Sequence, residues 1–168
     1  WPKEVGGNFN CNHNQLTTLE GCPKEVGDSF YCNDNLLTTL EGSPKKVGEH
    51  FICNKNKLTT LKGCTEEVGG GFSCLLNELI SLEGGPKKVG SFFDCSSNKL
   101  TSLEGYPKEL DGYFIENIYN LFGSLKEFQD SMDYGYLRGT DIIKLRFKEA
   151  LEEIGVKLPK EIKGYNYI

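Results

Sequence analysis

The sequence predicts an α/β repeat. The expected form is a right-handed solenoid with one short parallel strand per coil, closed by helices at its C-terminal end. Three observations predict it. Cys11, Cys32, Cys53, Cys74 and Cys95 recur every 21 residues. Self-alignment at that period is nearly gapless, with units opening at Trp1, Cys22, Ser43, Cys64 and Gly85 and a degenerate one at Tyr106. Beyond residue 121 the period is lost and helix signals replace it. Residues 1–121 are therefore read as the repeat array and 122–168 as a helical cap.

Within a unit each invariant column has a structural task. Phe9, Phe30, Phe51, Phe72 and Phe93 precede the Cys column by two residues, so both point to the same side of a strand. The paired Leu columns, Leu16 to Leu100 and Leu19 to Leu103, are three apart, as on a turn-like return. Val5, Val26, Val47, Val68 and Val89 follow a corner that holds Pro in four of these five units. Asn14, Asn35, Asn56, Asn77 and Asn98 have no apolar value. Their expected use is an inward amide that bonds backbone groups at the bend of their own and adjacent coils. A Gly closes every unit, from Gly21 to Gly105.

This pattern, PxxVxxxFxCxxNxLxxLxG, resembles the leucine-rich repeat, particularly the short bacterial class with a Pro corner. The departure is at Gly6 and its equivalents, which stand at the signature's first Leu, with the preceding Val filling that space. The repeats and the tail from Tyr136 to Ile168 also resemble uncharacterised phage-encoded repeat proteins. The resemblance implies a concave face of parallel strands that binds other macromolecules.

In the sixth unit Glu116 and Tyr119 replace the Cys and Asn, so the array is expected to end there. Ser124 and Glu127 form a capping box ahead of an apolar stripe of Leu125, Phe128 and Met132. A second helix is expected over residues 141–154, with Ile143, Phe147 and Ile154 on one face, Gly155 after it and Pro159 beyond.

Composition narrows the function. The formal net charge of -5 lacks the basic excess that a phosphate backbone requires, so nucleic acid is not an expected partner. No apolar stretch approaches the roughly 18 residues of a spanning helix. Mixed Lys and Glu rows at the corners, with Glu66 interrupting the Lys row, read as a solvated face. His13 and His50 read as surface residues, and no phosphate loop or paired-carboxylate motif occurs. Neither enzymatic activity nor a cofactor or metal is expected. The ladder thiols read as small core hydrophobes, while Cys22 and Cys64 at the corner are expected to be more exposed. Reduced, buried thiols imply a reducing cytoplasm, and the phage resemblance extends this expectation to that of an infected bacterium. Because the chain opens on Trp1, the first column of a unit, it reads as a fragment and leaves export open.

The binding candidates are the residues that vary. Columns flanking Phe and Cys are expected to point outward on one sheet face. There Tyr31, Ile52, Leu75 and Phe92 supply large groups without a structural duty, with His50 and Asp94 beside them. The expected function is a non-enzymatic module that binds a protein partner through this face. The alternative is a structural component of a larger assembly such as a virion. An ice-binding role for the Thr17–Thr18, Thr38–Thr39 and Thr59–Thr60 rows is weaker, since Ile80 breaks them.

Overall fold

The computed structural model describes residues 1–101 and 104–112, and beyond them the backbone of Phe114–Ile115, Leu137–Arg138, Asp141–Ile142 and Asn166–Tyr167. Each unit contributes two short strands, where one was expected. The first set is Glu4–Val5, Glu25–Val26, Lys46–Val47, Glu67–Val68, Lys88–Val89 and Glu109–Leu110. The second is Phe9–Asn10, Phe30–Tyr31, Phe51–Ile52, Phe72–Ser73, Phe93–Asp94 and Phe114–Ile115. Each set forms a six-stranded parallel sheet. The chain is a parallel β-solenoid with a period of about 21 residues.

The extra strand has a local cause. Pro withholds only its own amide from pairing. The next residue already bonds the neighbouring coil, as Lys24 N does to Lys3 O at 2.7 Å, and Gly27 N follows to Val5 O at 2.8 Å. The Val column is thereby stitched into its own sheet, Val5 beside Val26 and Val47 beside Val68. The return past the Asn column forms a third side. There Lys57 N donates to Leu37 O and Glu78 N to Leu58 O, both at 2.9 Å.

Inside, the Phe column stacks from coil to coil, with ring centroids 5.0 Å apart for Phe30 and Phe51 and 5.5 Å for Phe51 and Phe72. Phe, Cys, Leu and Val columns of the central coils are sealed from solvent in one continuous core. The Asn column closes the bend. Asn56 Nδ2 donates to Cys32 O, Cys53 O and Asn54 O at 3.0–3.2 Å, and its Oδ1 accepts Leu37 N at 3.1 Å.

Two glycine columns are dictated by backbone. Gly63 has φ +91°, and a Cβ there would also strike the backbone of Leu40 and Glu41. Gly48 has no such φ, but its Cβ would overlap the carbonyl oxygen of Gly27. At Gly27, Gly48, Gly69 and Gly90 the coils therefore approach each other more closely than a side chain allows. The column lacks a Leu because no volume exists for one.

Near the C-terminus, Leu137–Arg138 pairs antiparallel with Asp141–Ile142, which pairs parallel with Asn166–Tyr167. The helix expected from Asp141 therefore does not begin there. The expected helix at 124–132 and the remainder of 143–154 lie outside the described residues, as do Glu116 and Tyr119.

Candidate functional site

The outward face of the Phe-strand sheet is built from the columns on either side of Phe and Cys. Strand register sets Tyr31 directly beside Ile52, and Ile52 beside Ser73, so their side chains share one face. Tyr31, His50, Ile52, Leu75, Phe92 and Asp94 are each half-buried. Leu75 lies apart from the rest, in the column at the bend where other coils place Asn12, Asn33 and Asn54.

Several of these residues also have structural work. Ser29 N donates to Asn8 Oδ1 at 3.0 Å, His50 N to Ser29 Oγ at 3.2 Å, and Gly71 N to His50 Nδ1 at 2.8 Å. Each side chain of this column thus receives the amide of the next coil. The His50 bond fixes Nδ1 as acceptor and leaves the ring proton on Nε2. Gly71 ends the row with no side chain, and the Phe92 ring lies where its Cβ would stand. The same ring sits 5.7 Å from His50, tilted by 32°. Phe92 is a lid over the gap in this ladder, so it is not free of structural duty.

A second ladder runs at the bend. Asn33 N donates to Asn12 Oδ1, Asn54 N to Asn33 Oδ1 and Leu75 N to Asn54 Oδ1, at 2.6, 2.9 and 2.9 Å. Leu75 cannot continue it. In the next coil Ser96 N turns instead to Asp94 Oδ1 at 3.0 Å, and Ser96 Oγ to the same oxygen at 2.5 Å. Asp94 replaces the acceptor that Leu75 removes.

These ladders were hidden in the sequence because the task requires only an acceptor. Asn8, Ser29 and His50 satisfy it equally, so a structural column presents itself as a variable one. The available signal was positional: Asp94 stands one coil after the Asn row fails at Leu75.

Backbone conformation singles out another column. His13, Asp34, Lys55, Leu76 and Ser97 all have φ between 52° and 58°. Asn and Asp adopt this region readily, whereas a bulky aliphatic residue seldom does. His13 Nδ1 lies 2.9 Å from Asp34 Oδ2, both well exposed. His13 and His50 occupy different columns and different faces, and no common site joins them.

Charges pair vertically. Lys87 reaches Glu66 at 2.8 Å, Lys62 reaches Glu41 at 2.9 Å, and Lys99 reaches Glu78 at 2.9 Å, each pair occupying one column on adjacent coils. Glu66, which breaks the Lys row of the sequence, is the partner of the Lys that follows it. A direct hydrogen bond from Lys99, reinforced by its charge, holds the Glu78 carboxyl below its ordinary range.

All seven thiols are free. Cys22 is buried, which corrects the exposure expected at its corner. The left-handed Gly21, with φ +86°, bends the chain so that Cys22 N bonds Leu19 O at 3.0 Å and the side chain turns inward. Cys64 is half-buried and packs against the core. Burial pushes the Cys11 thiol from 9.0 to about 11 and Cys22 to about 12, the latter helped by neighbouring Cys11. Cys32, Cys53 and Cys64 are raised too, by burial above all. Such thiols are poor nucleophiles. Cys11 Sγ and Cys53 Sγ instead donate to Tyr31 O and Ser73 O, both at 3.3 Å. Among the described residues no group of three or more His, Cys, Asp or Glu could hold a metal.

No family model, curated protein or solved structure matches this chain.

Proposed function

We propose that the chain is a non-enzymatic protein-binding module that engages its partner through the outward face of the Phe-strand sheet. The observation that supports this most is the adjacency of Tyr31 and Ile52. They are large side chains aligned on neighbouring strands, half-buried rather than sealed, and held on a rigid hydrogen-bonded scaffold. Aromatic and aliphatic anchors on such a platform, rimmed by polar groups such as Asn33 and Asn54, suit a protein interface. The buried thiols, held protonated by desolvation, are poor nucleophiles, which favours binding over thiol catalysis.

The reading is tested by retention of proteins from the encoding organism on the immobilised chain, in parallel with a Tyr31→Ala, Ile52→Ala double variant. A partner held by the parent and lost by the variant, at an unchanged melting temperature, supports it. The expected weakening is about 1–3 kcal/mol per residue. A partner retained equally by both would place the interface elsewhere, and the absence of any specifically retained protein would count against binding.

A further inference from the structure

The third side of the solenoid carries an arrangement that the sheet face does not account for. Its outward columns read Asp34, Leu36, Thr38 in the second coil and Lys55, Lys57, Thr59 in the third. The fourth coil reads Leu76, Glu78, Ile80 and the fifth Ser97, Lys99, Thr101. Backbone bonds such as Thr59 N to Thr38 O at 3.2 Å and Thr101 N to Ile80 O at 3.0 Å keep these columns in line.

The fourth coil departs from its neighbours three times over. Leu75 interrupts the Asn ladder. Leu76 adopts φ 58°, a conformation that a bulky L side chain disfavours. Leu76 and Ile80 remain 44% and 59% exposed where other coils place polar residues, and Leu36 at 37% lies two coils away. A bulky side chain at positive φ and exposed aliphatic groups both disfavour the folded state, and they coincide in one unit. Such coincidences belong to functional surfaces.

The surrounding charge specifies the occupant. Lys55, Lys57 and Lys99 lie on the coils next to Leu76 and Ile80, and the acidic members of the same columns are Asp34, which pairs with His13, and Glu78, which Lys99 engages and Lys57 also acts on. Among the described residues neither Lys55 nor Lys57 forms an ion pair. This local positive excess lies on a chain of formal net charge -5.

We propose that this side is a second docking surface, separate from the Tyr31 and Ile52 face. Its occupant is a partner protein segment that presents aliphatic side chains flanked by Asp or Glu. Leu76 and Ile80 would be covered by the aliphatic groups, and Lys55 and Lys57 would meet the carboxylates.

The test is selection of a displayed library of random 16-residue peptides on the full-length chain. Winners are then titrated against a Leu76→Asn, Ile80→Thr variant and a Lys55→Glu, Lys57→Glu variant. Thr is the residue that the other units carry at the Ile80 column, Asn tolerates the positive φ of Leu76, and circular dichroism melts verify folding. The expected result is enrichment of peptides rich in Leu or Ile and in Asp or Glu. Their affinity should fall at least tenfold in either variant, fall with added salt, and survive Tyr31→Ala. Several outcomes would overturn the proposal: no enrichment, enrichment of basic or uncharged peptides, or binding undiminished in both variants. So would concentration-dependent self-association lost in the Leu76→Asn, Ile80→Thr variant, or binding of single-stranded DNA or anionic vesicles through the same lysines.

Discussion

The carboxamide of Asn77 accepts the amide of Leu58 from the preceding coil at 3.0 Å. Its Nδ2 meanwhile donates to Cys53 O at 3.1 Å and Cys74 O at 3.0 Å. One side chain thus satisfies a buried donor and two buried acceptors on two coils. Asn77→Ala should destabilise by about 2–4 kcal/mol, since several buried polar groups lose partners together. Asn77→Asp keeps the shape and loses both donors, so it should be at least as damaging at neutral pH. Urea midpoints measure both. A near-native Asn77→Asp variant would show that the column serves another purpose.

Glycine replacement separates crowding from mere repetition. Gly6 and Gly27 occupy the same column, yet a Cβ on Gly6 meets nothing within 4 Å. A Cβ on Gly27 overlaps the Gly6 carbonyl. Gly27→Ala should therefore lower stability by about 2 kcal/mol or more, while Gly6→Ala should stay within about 0.5 kcal/mol. Equal thermal shifts for the two would contradict the close approach of coils.

Leu76 opposes stability and surface use. Leu76→Asn places a residue tolerant of positive φ at a strained position and removes exposed aliphatic area. The variant should gain about 0.5–1 kcal/mol in chemical denaturation. Lys55→Asn, in the same column with φ 52°, should gain by a similar mechanism without altering aliphatic exposure. A loss of stability in both variants would rule out strain in this column.

The thiols set a limit at alkaline pH. Folded Cys11 and Cys22 keep their protons until about 11 and about 12, whereas the unfolded chain releases them near 9.0. Their raised values favour the folded state fully below about 9. That contribution is lost as pH rises through the folded values, because the unfolded chain then binds fewer protons. Each such thiol should steepen the decline by about 1.4 kcal/mol per pH unit in that window. Denaturation midpoints at pH 8 and pH 10.5 measure this, with Cys22→Ser expected to flatten the slope. A slope unchanged by Cys22→Ser would refute the assignment to that thiol.

The columns that face the core were readable from the sequence. Phe51, Cys53, Leu58 and Leu61 have one permissible environment, so they repeat without variation. Strands of two residues were not readable. Glu25–Val26 is too short for alternation to register, and its pairing depends on a coil 21 residues away. Gly48 was visible as a repeated residue, but its cause is the Gly27 oxygen, which belongs to another unit. His50 was visible as variable, yet its ring accepts the amide of Gly71. In each case the missing information is what lies above and below, which periodicity alone does not display.

Described ion pairs all join equal positions of successive coils, as Glu66 with Lys87 and Glu78 with Lys99. The order of the units is thereby part of the chemistry. Exchanging the third and fourth units whole would leave composition, net charge and the invariant Val, Phe, Cys, Asn and Leu columns unchanged. It would nonetheless set Lys45 beside Lys87 and Lys57 beside Lys99, turning attractions into repulsions. Repeats that look interchangeable on paper are positioned characters in a fixed text, each legible only next to its neighbours.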